Sequence, residues 1–95
     1  GVRFALPDGT TGCGVTADLS DRGVGFVSYT PVAKGARIEV RLIGGGEDVT
    51  LTGKVVRADR MAFDRTLSGA GYRVGVELDE LSGPALDAVN RITYH

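Results

Sequence analysis

The residues best suited to chemistry in this chain lie in one short run, Asp18-Leu19-Ser20-Asp21-Arg22-Gly23. It brings together an acceptor carboxylate, a hydroxyl that both donates and accepts, a guanidinium and a residue without a Cβ. The run closes a stretch of strand-like alternation, and strand ends are where rigid scaffolds present groups to ligands. The same residue types also make an ordinary turn, in which Asp and Ser bond their own backbone and Gly takes a positive φ. Residue chemistry alone leaves both readings open.

Reaction chemistry has less to stand on. An enzyme needs a nucleophile with its base, paired carboxylates in a cleft, or a metal set. His95 is the only histidine and the last residue, so it reads as an exposed end rather than a general base. Cys13, the only cysteine, falls on an apolar alternation and reads as a small buried hydrophobe without a thiolate-stabilising neighbourhood. A lone cysteine permits no internal disulfide and no sulfur set for zinc, so a reducing compartment is the natural setting. Gly44-Gly45-Gly46 lacks the Lys-Ser/Thr of a phosphate loop and precedes a strand, which makes it a hairpin turn. No catalytic residue, no metal site and no cofactor are expected.

Charge narrows the partners. There are 11 Lys and Arg against 12 Asp and Glu, so no general basic field exists to hold a DNA or RNA polymer. Only six residues are aromatic, and no basic stripe accompanies them. An anionic ligand would have to be held by a local constellation. The basic set is nine Arg and two Lys, which favours the group that forks onto phosphates, although a GC-rich genome would produce the same bias. No apolar run of about 18 residues appears, so this segment does not insert into a membrane by itself.

The elements that must position the run are mostly strands. Ninety-five residues make one domain, with strands over about 1–80 and a helix over about 83–93. Val2, Phe4 and Leu6 share a face before the turn Pro7-Asp8-Gly9. In the second strand Cys13, Val15, Ala17 and Leu19 are expected inward, with Thr16 and Asp18 on the other side. Val24 to Tyr29 is apolar on both faces and reads as a central strand buried from two sides. Ile38, Val40 and Leu42 alternate with Arg37, Glu39 and Arg41, a half-buried strand. Val49, Leu51, Gly53 and Val55 follow, with Gly53 marking a bulge or a sharp barrel bend.

Asp59 to Gly69 reads as an extended connection, and Tyr72, Val74, Val76 and Leu78 face inward in the last strand. Six strands at this spacing predict a closed antiparallel barrel, which leaves no edges exposed. Ser82 as N-cap, Pro84 in the first turn and the stripe Leu86, Val89, Ile92 predict the short C-terminal helix. The fold class is mainly all-β.

Asp18-Leu19-Ser20-Asp21-Arg22-Gly23 resembles the Asp/Asn-x-Ser-x-x-Gly motif of the PilZ family at all three defined positions. Thr52-Gly53-Lys54-Val55-Val56 and Tyr72-Arg73-Val74-Gly75-Val76-Glu77-Leu78 look like the family's later strands, and the closing helix fits, so the resemblance covers nearly the whole chain. It implies a six-stranded PilZ-like β-barrel that binds cyclic di-GMP and regulates a fused or partner effector. Asp18 and Ser20 would meet the guanine edge, and Gly23 would admit the base. Arg22, inside the motif, and Arg57, near the end of the long strand with Arg60, join them as candidate ligand contacts, solvated barrel charges being the plainer role for all three.

The family's Arg-x-x-x-Arg segment before the first strand has no match, and Arg3 is too close to Asp18 to supply it. The chain begins Gly1-Val2-Arg3 rather than with Met, so it is expected to be a piece of a longer protein with the arginines upstream. The alternative is a degenerate PilZ module that binds protein and not nucleotide. The ending Val89-Asn90-Arg91-Ile92-Thr93-Tyr94 resembles the family's cellulose synthase members, which would make this the cytoplasmic part of an inner-membrane glycosyltransferase; flagellar-brake and alginate-export parents stay open.

Overall fold

Alternation with period two builds the barrel, because each strand sends every second side chain into a shared interior. The computed structural model describes residues 1–61 and 71–93. Six strands, β1 (Val2–Ala5), β2 (Thr11–Leu19), β3 (Gly23–Ser28), β4 (Arg37–Gly44), β5 (Glu47–Met61) and β6 (Gly71–Leu78), precede one helix, α1 (Gly83–Thr93). Every pairing is antiparallel, and the order β1-β2-β3-β6-β5-β4 closes on itself through β1 and β4. The barrel with a short C-terminal helix is the predicted architecture.

The interior is apolar. Val2 and Phe4 from β1, Val24 and Phe26 from β3, Ile38, Val40 and Leu42 from β4, Leu51 and Val55 from β5, and Val74 and Val76 from β6 are all buried. The rings of Phe4 and Phe26 pack with centroids 5.5 Å apart, within the range of favourable aromatic pairs. Between β4 and β5, Gly45 and Gly46 both take positive φ, 57° and 81°, the signature of a type I′ hairpin turn. Gly44-Gly45-Gly46 is therefore the hairpin its context implied.

The second strand faces the other way from its apparent pattern. Gly12, Gly14 and Thr16 are turned inward, while Cys13, Val15 and Ala17 are exposed. Packing explains the inversion. A Cβ on Gly12 would stand 2.5 Å from the Phe4 ring, and one on Gly14 would stand 2.1 Å from the carbonyl oxygen of Val27. Neighbouring strands and the Phe4 ring fill the room that side chains on this face would need, so the larger residues go outside. Val15 is 63% exposed and pairs across the surface with Val27, and Cys13 lies opposite Arg3. The expected burial of Cys13 does not occur.

Two further expectations are corrected, and one is narrowed to its second alternative. Tyr29 lies beyond β3 and is 68% exposed, so two-sided burial does not extend to it. The bulge in β5 falls between Val55 and Arg57, not at Gly53; Gly53 sits at the corner where β5 passes from β4 to β6, and a Cβ there would be 2.4 Å from the Glu77 carbonyl oxygen. Asp59, Arg60 and Met61 continue β5 rather than opening a connection, while the rest of that stretch, 62–69, and His95 lie outside the described residues.

Helix α1 starts where Ser82 predicted, with the Ser82 hydroxyl accepting from the Ala85 amide at 3.3 Å. Its buried seam is Ala88 and Val89, flanked by half-buried Ala85 and Ile92, and Leu86 is only partly covered. Arg91 clamps the helix to the start of β5 by a forked contact with Glu47, at 2.5 and 3.3 Å.

At the other end Asp79, just after β6, accepts from both terminal nitrogens of Arg37 and from the Thr52 hydroxyl. Those bonds, from Arg37 first and Thr52 second, hold the Asp79 carboxyl below the ordinary carboxylate range. Its folded pKa thus lies below its unfolded value, and the stability it adds is present above about pH 4 and lost as the pH falls through the folded value. Asp79→Asn is expected to lower stability at neutral pH, and the gap from wild type should close below about pH 4 in denaturant unfolding followed by circular dichroism. A gap that widens on acidification would refute the assignment. For Cys13, a thiol reagent should titrate one group per native chain without denaturant, whereas protection until unfolding would put the thiol back inside.

Candidate functional site

Two bulges aim the site. In β2 the inward positions are even-numbered, Gly12, Gly14 and Thr16, and the pattern would carry Asp18 into the interior. The register shift between Thr16 and Asp18 makes Ala17 an extra residue, so Asp18 emerges outside opposite Gly25 while Leu19 turns in opposite Val24. In β5 the inward positions are odd-numbered, Leu51, Gly53 and Val55, and the pattern would bury Arg57. The shift between Val55 and Arg57 makes Val56 the extra residue and puts Arg57 outside, opposite Gly75. Both charged side chains are thus on the outer surface because one residue was inserted before each.

Between them lie two glycines, Gly25 buried beneath the Asp18 carboxylate and Gly75 half-buried. Asp18 pairs with Gly25, Gly25 with Gly75, and Gly75 with Arg57, so one row across β2, β3, β6 and β5 reads Asp-Gly-Gly-Arg. The row forms the floor of a hollow of about 280 Å³, whose lining also includes Ser20, Gly23, Val56 and Arg73. A Cβ on Gly25 would be 2.9 Å from both Asp18 carboxylate oxygens, and one on Gly75 would be 3.2 Å from the Arg57 Cβ. The Asp18 carboxylate therefore lies over Gly25, in the space a side chain there would need, and the Arg57 stem lies against Gly75. Such a floor admits a planar group lying flat, with a carboxylate at one edge and guanidinium groups at the others.

Four of the five candidate residues, Asp18, Ser20, Gly23 and Arg57, line this hollow. Arg22 does not line it, and its carbonyl instead accepts from the Leu78 amide at 2.8 Å, tying the motif loop to the end of β6. Arg60 also lies outside the hollow, in register with Tyr72. Ser20 holds its own turn: its hydroxyl oxygen accepts from the amides of Arg22 at 3.3 Å and Gly23 at 3.2 Å. Gly23 has an internal reason to be glycine, since a Cβ there would be 2.9 Å from the Val76 carbonyl oxygen. Turn formation and ligand presentation are compatible uses of this run.

Arg73 is the charged lining residue that sequence reasoning missed. It projects from β6 with its Nη2 3.8 Å from the Asp18 carboxylate, both side chains substantially exposed. Arg57 donates from its Nε to Asp59 on the same strand face. The signal for Arg73 was available in the alternation of β6, where Tyr72, Val74 and Val76 face inward and so send Arg73 out beside the motif. Among the described residues, no three His, Cys, Asp or Glu side chains are grouped to hold a metal ion. No helix among them is long and apolar enough to cross a membrane. A larger hollow of about 550 Å³, lined by Arg3, Cys13, Tyr29 and Arg41 among others, lies across β1, β2 and β4 and contains none of the motif.

Comparison with known proteins agrees with this geometry. No curated protein sequence matches the chain. Among solved structures, the crystal structure of the PilZ domain of CeSA from a cellulose synthesizing bacterium superimposes with a TM-score of 0.60 and 21% identity, covering 98% of this chain and 87% of that one. At that identity the likeness speaks for the fold. The family model described as PilZ domain matches residues 2–95, from the first residue of β1 through the motif hairpin and the helix. A barrel of this order, with its motif turned outward by a bulge and a family match along nearly its whole length, belongs to the PilZ domain family.

Proposed function

We propose that this domain is a cyclic di-GMP receptor that regulates an effector, in the same chain or a partner, and does no chemistry itself. The observation that carries the reading is the row Asp18-Gly25-Gly75-Arg57, a flat glycine floor between an acceptor and a cation. Guanine presents N1–H and N2–H₂ donors on one edge, and the Asp18 carboxylate has the oxygens to accept them. The phosphates suit guanidinium groups, and the purine face suits the side-chain-free backbone of Gly75, and that of Gly25 once the Asp18 carboxylate turns to the base edge. Each hydrogen bond to a charged group contributes about 1.5–3 kcal/mol.

The hollow is shallow. Its volume of about 280 Å³ falls just below the usual ligand-pocket range of about 300–1,000 Å³, room for part of a dinucleotide. A second hollow of about 350 Å³ shares Asp18 and is lined by Gly1, Ile43 and Ile92. Residues leading into β1 would therefore arrive beside Asp18, where arginines upstream could close over the ligand. A cytoplasmic setting follows from the ligand. The cellulose synthase likeness supports a membrane polysaccharide synthase as the regulated effector.

A second reading, a PilZ barrel that binds protein and not nucleotide, draws on outward apolar residues of β2 and of the segment after β3. Val15 and Tyr29 are 63% and 68% exposed, and Tyr29 lines the larger hollow away from the motif.

Calorimetric titration separates the two. Cyclic di-GMP should bind weakly to this chain and tightly to a form carrying about thirty native residues upstream, with Asp18→Ala abolishing the tight binding. If neither form binds, the receptor reading fails. Ser20→Ala should in addition lower folding stability by about 0.5–2 kcal/mol in denaturant titration, because two amides of the turn lose their acceptor. An unchanged midpoint would show that the hydroxyl does not hold the turn.

A further inference from the structure

The charges around the glycine floor are arranged to cancel. Asp18 faces Arg73 at 3.8 Å, Arg73 is the direct cross-strand partner of Asp59, and Asp59 accepts from the Nε of Arg57. Two carboxylates and two guanidiniums thus alternate in and beside the hollow, Asp59 just outside its lining, with formal charges that sum to zero. Directly opposed residues on one sheet face keep their Cβ atoms about 4.5–5.5 Å apart, so Asp59 acts on both arginines at once. An anion entering the empty site meets no net attraction until one of these contacts is exchanged.

Resting on the receptor reading above, we propose that Asp59 is a built-in competitor of the ligand's phosphates and that Arg73 is a second phosphate-binding residue beside Arg57. Asp59 occupies the Nε of Arg57, a donor that a phosphate would take, and places its charge directly across the strands from Arg73. The exchange is inexpensive at each step. Ion pairs between exposed side chains contribute little, and the 3.8 Å separation of Arg73 from Asp18 is longer than a hydrogen bond. When Asp18 turns to the guanine edge, Arg73 loses its weak partner and keeps its position next to the floor.

The competition also confers selectivity. A neutral planar molecule that lies on Gly25 and Gly75 offers nothing in return for the contacts of Asp59, whereas a phosphodiester replaces one anion by another. The site therefore discriminates by requiring a base edge for Asp18 and an anion for the arginines in the same ligand.

The test is cyclic di-GMP titration of the full native protein and its variants at two ionic strengths, with thermal melts to establish that each variant is folded. Asp59→Asn should tighten binding by about two- to five-fold, the effect of removing one exposed ion-pair competitor. Arg73→Ala should weaken it by about ten-fold or more and make the remaining affinity less sensitive to salt, with Arg73→Lys recovering part of the loss. If wild type binds and Asp59→Asn leaves the affinity unchanged or lower, or Arg73→Ala leaves it unchanged, the exchange is refuted while the receptor reading survives. If wild type does not bind, both fall together.

Discussion

The site depends on a constraint of parity. In a closed barrel every residue of a strand is either inside or outside, and a strand without irregularity cannot move a single side chain from one to the other. Asp18 and Arg57 are on strands whose preceding residues assign them to the interior, where an unpaired charge is costly. One extra residue in each strand, Ala17 in β2 and Val56 in β5, reverses the assignment at that point and leaves the core behind it undisturbed. The row proposed to bind ligand is what lies between those two reversals. Leu19 returns to the interior for the same reason that Asp18 leaves it.

This is also where legibility in the sequence ended. β1, β4, β6 and α1 were readable because their alternation or helical stripe runs without interruption and the residues on the inner face are large and apolar. β2 was read with the wrong face because its inner positions, Gly12, Gly14 and Thr16, carry little apolar surface, so the outward Cys13, Val15 and Ala17 looked like a core face. Inward glycines are set by how closely Phe4 and the β3 backbone approach, which a one-strand pattern does not encode. The bulges were hidden too, since a bulge is a property of a pair of strands. Asp18, Ser20 and Gly23 were legible through a family motif, Arg57 through its position in the long strand. Gly25, Gly75, Asp59 and Arg73 needed the register.

The distribution of charge explains why recognition here must be local. Arg37 is engaged with Asp79, Arg41 with Asp48 at 2.5–2.8 Å, Arg91 with Glu47 and Arg57 with Asp59. With a formal net charge of −1, the barrel has no long-range field to steer an anion, and local pairing removes much of what each guanidinium would project. Affinity must therefore come from short-range complementarity at contact: hydrogen bonds to a base edge, a flat surface under the base, and guanidiniums close enough to exchange partners.

Such a site couples binding to shape. The hollow covers one side of a planar group and leaves the other in water, so the barrel alone offers only part of the contact a buried ligand would have. On the proposed receptor reading, whatever covers the open side, a further protein segment or a second ligand molecule, is bound by the same event that fills the floor. Its position in the empty and filled states differs by the free energy of that shared contact, and this difference is the only means by which a ligand can bias a neighbouring element. A deeper pocket would bind a dinucleotide more completely and would have less left to transmit. The shallow floor between two bulges suits a domain whose output is a rearrangement of what lies above it.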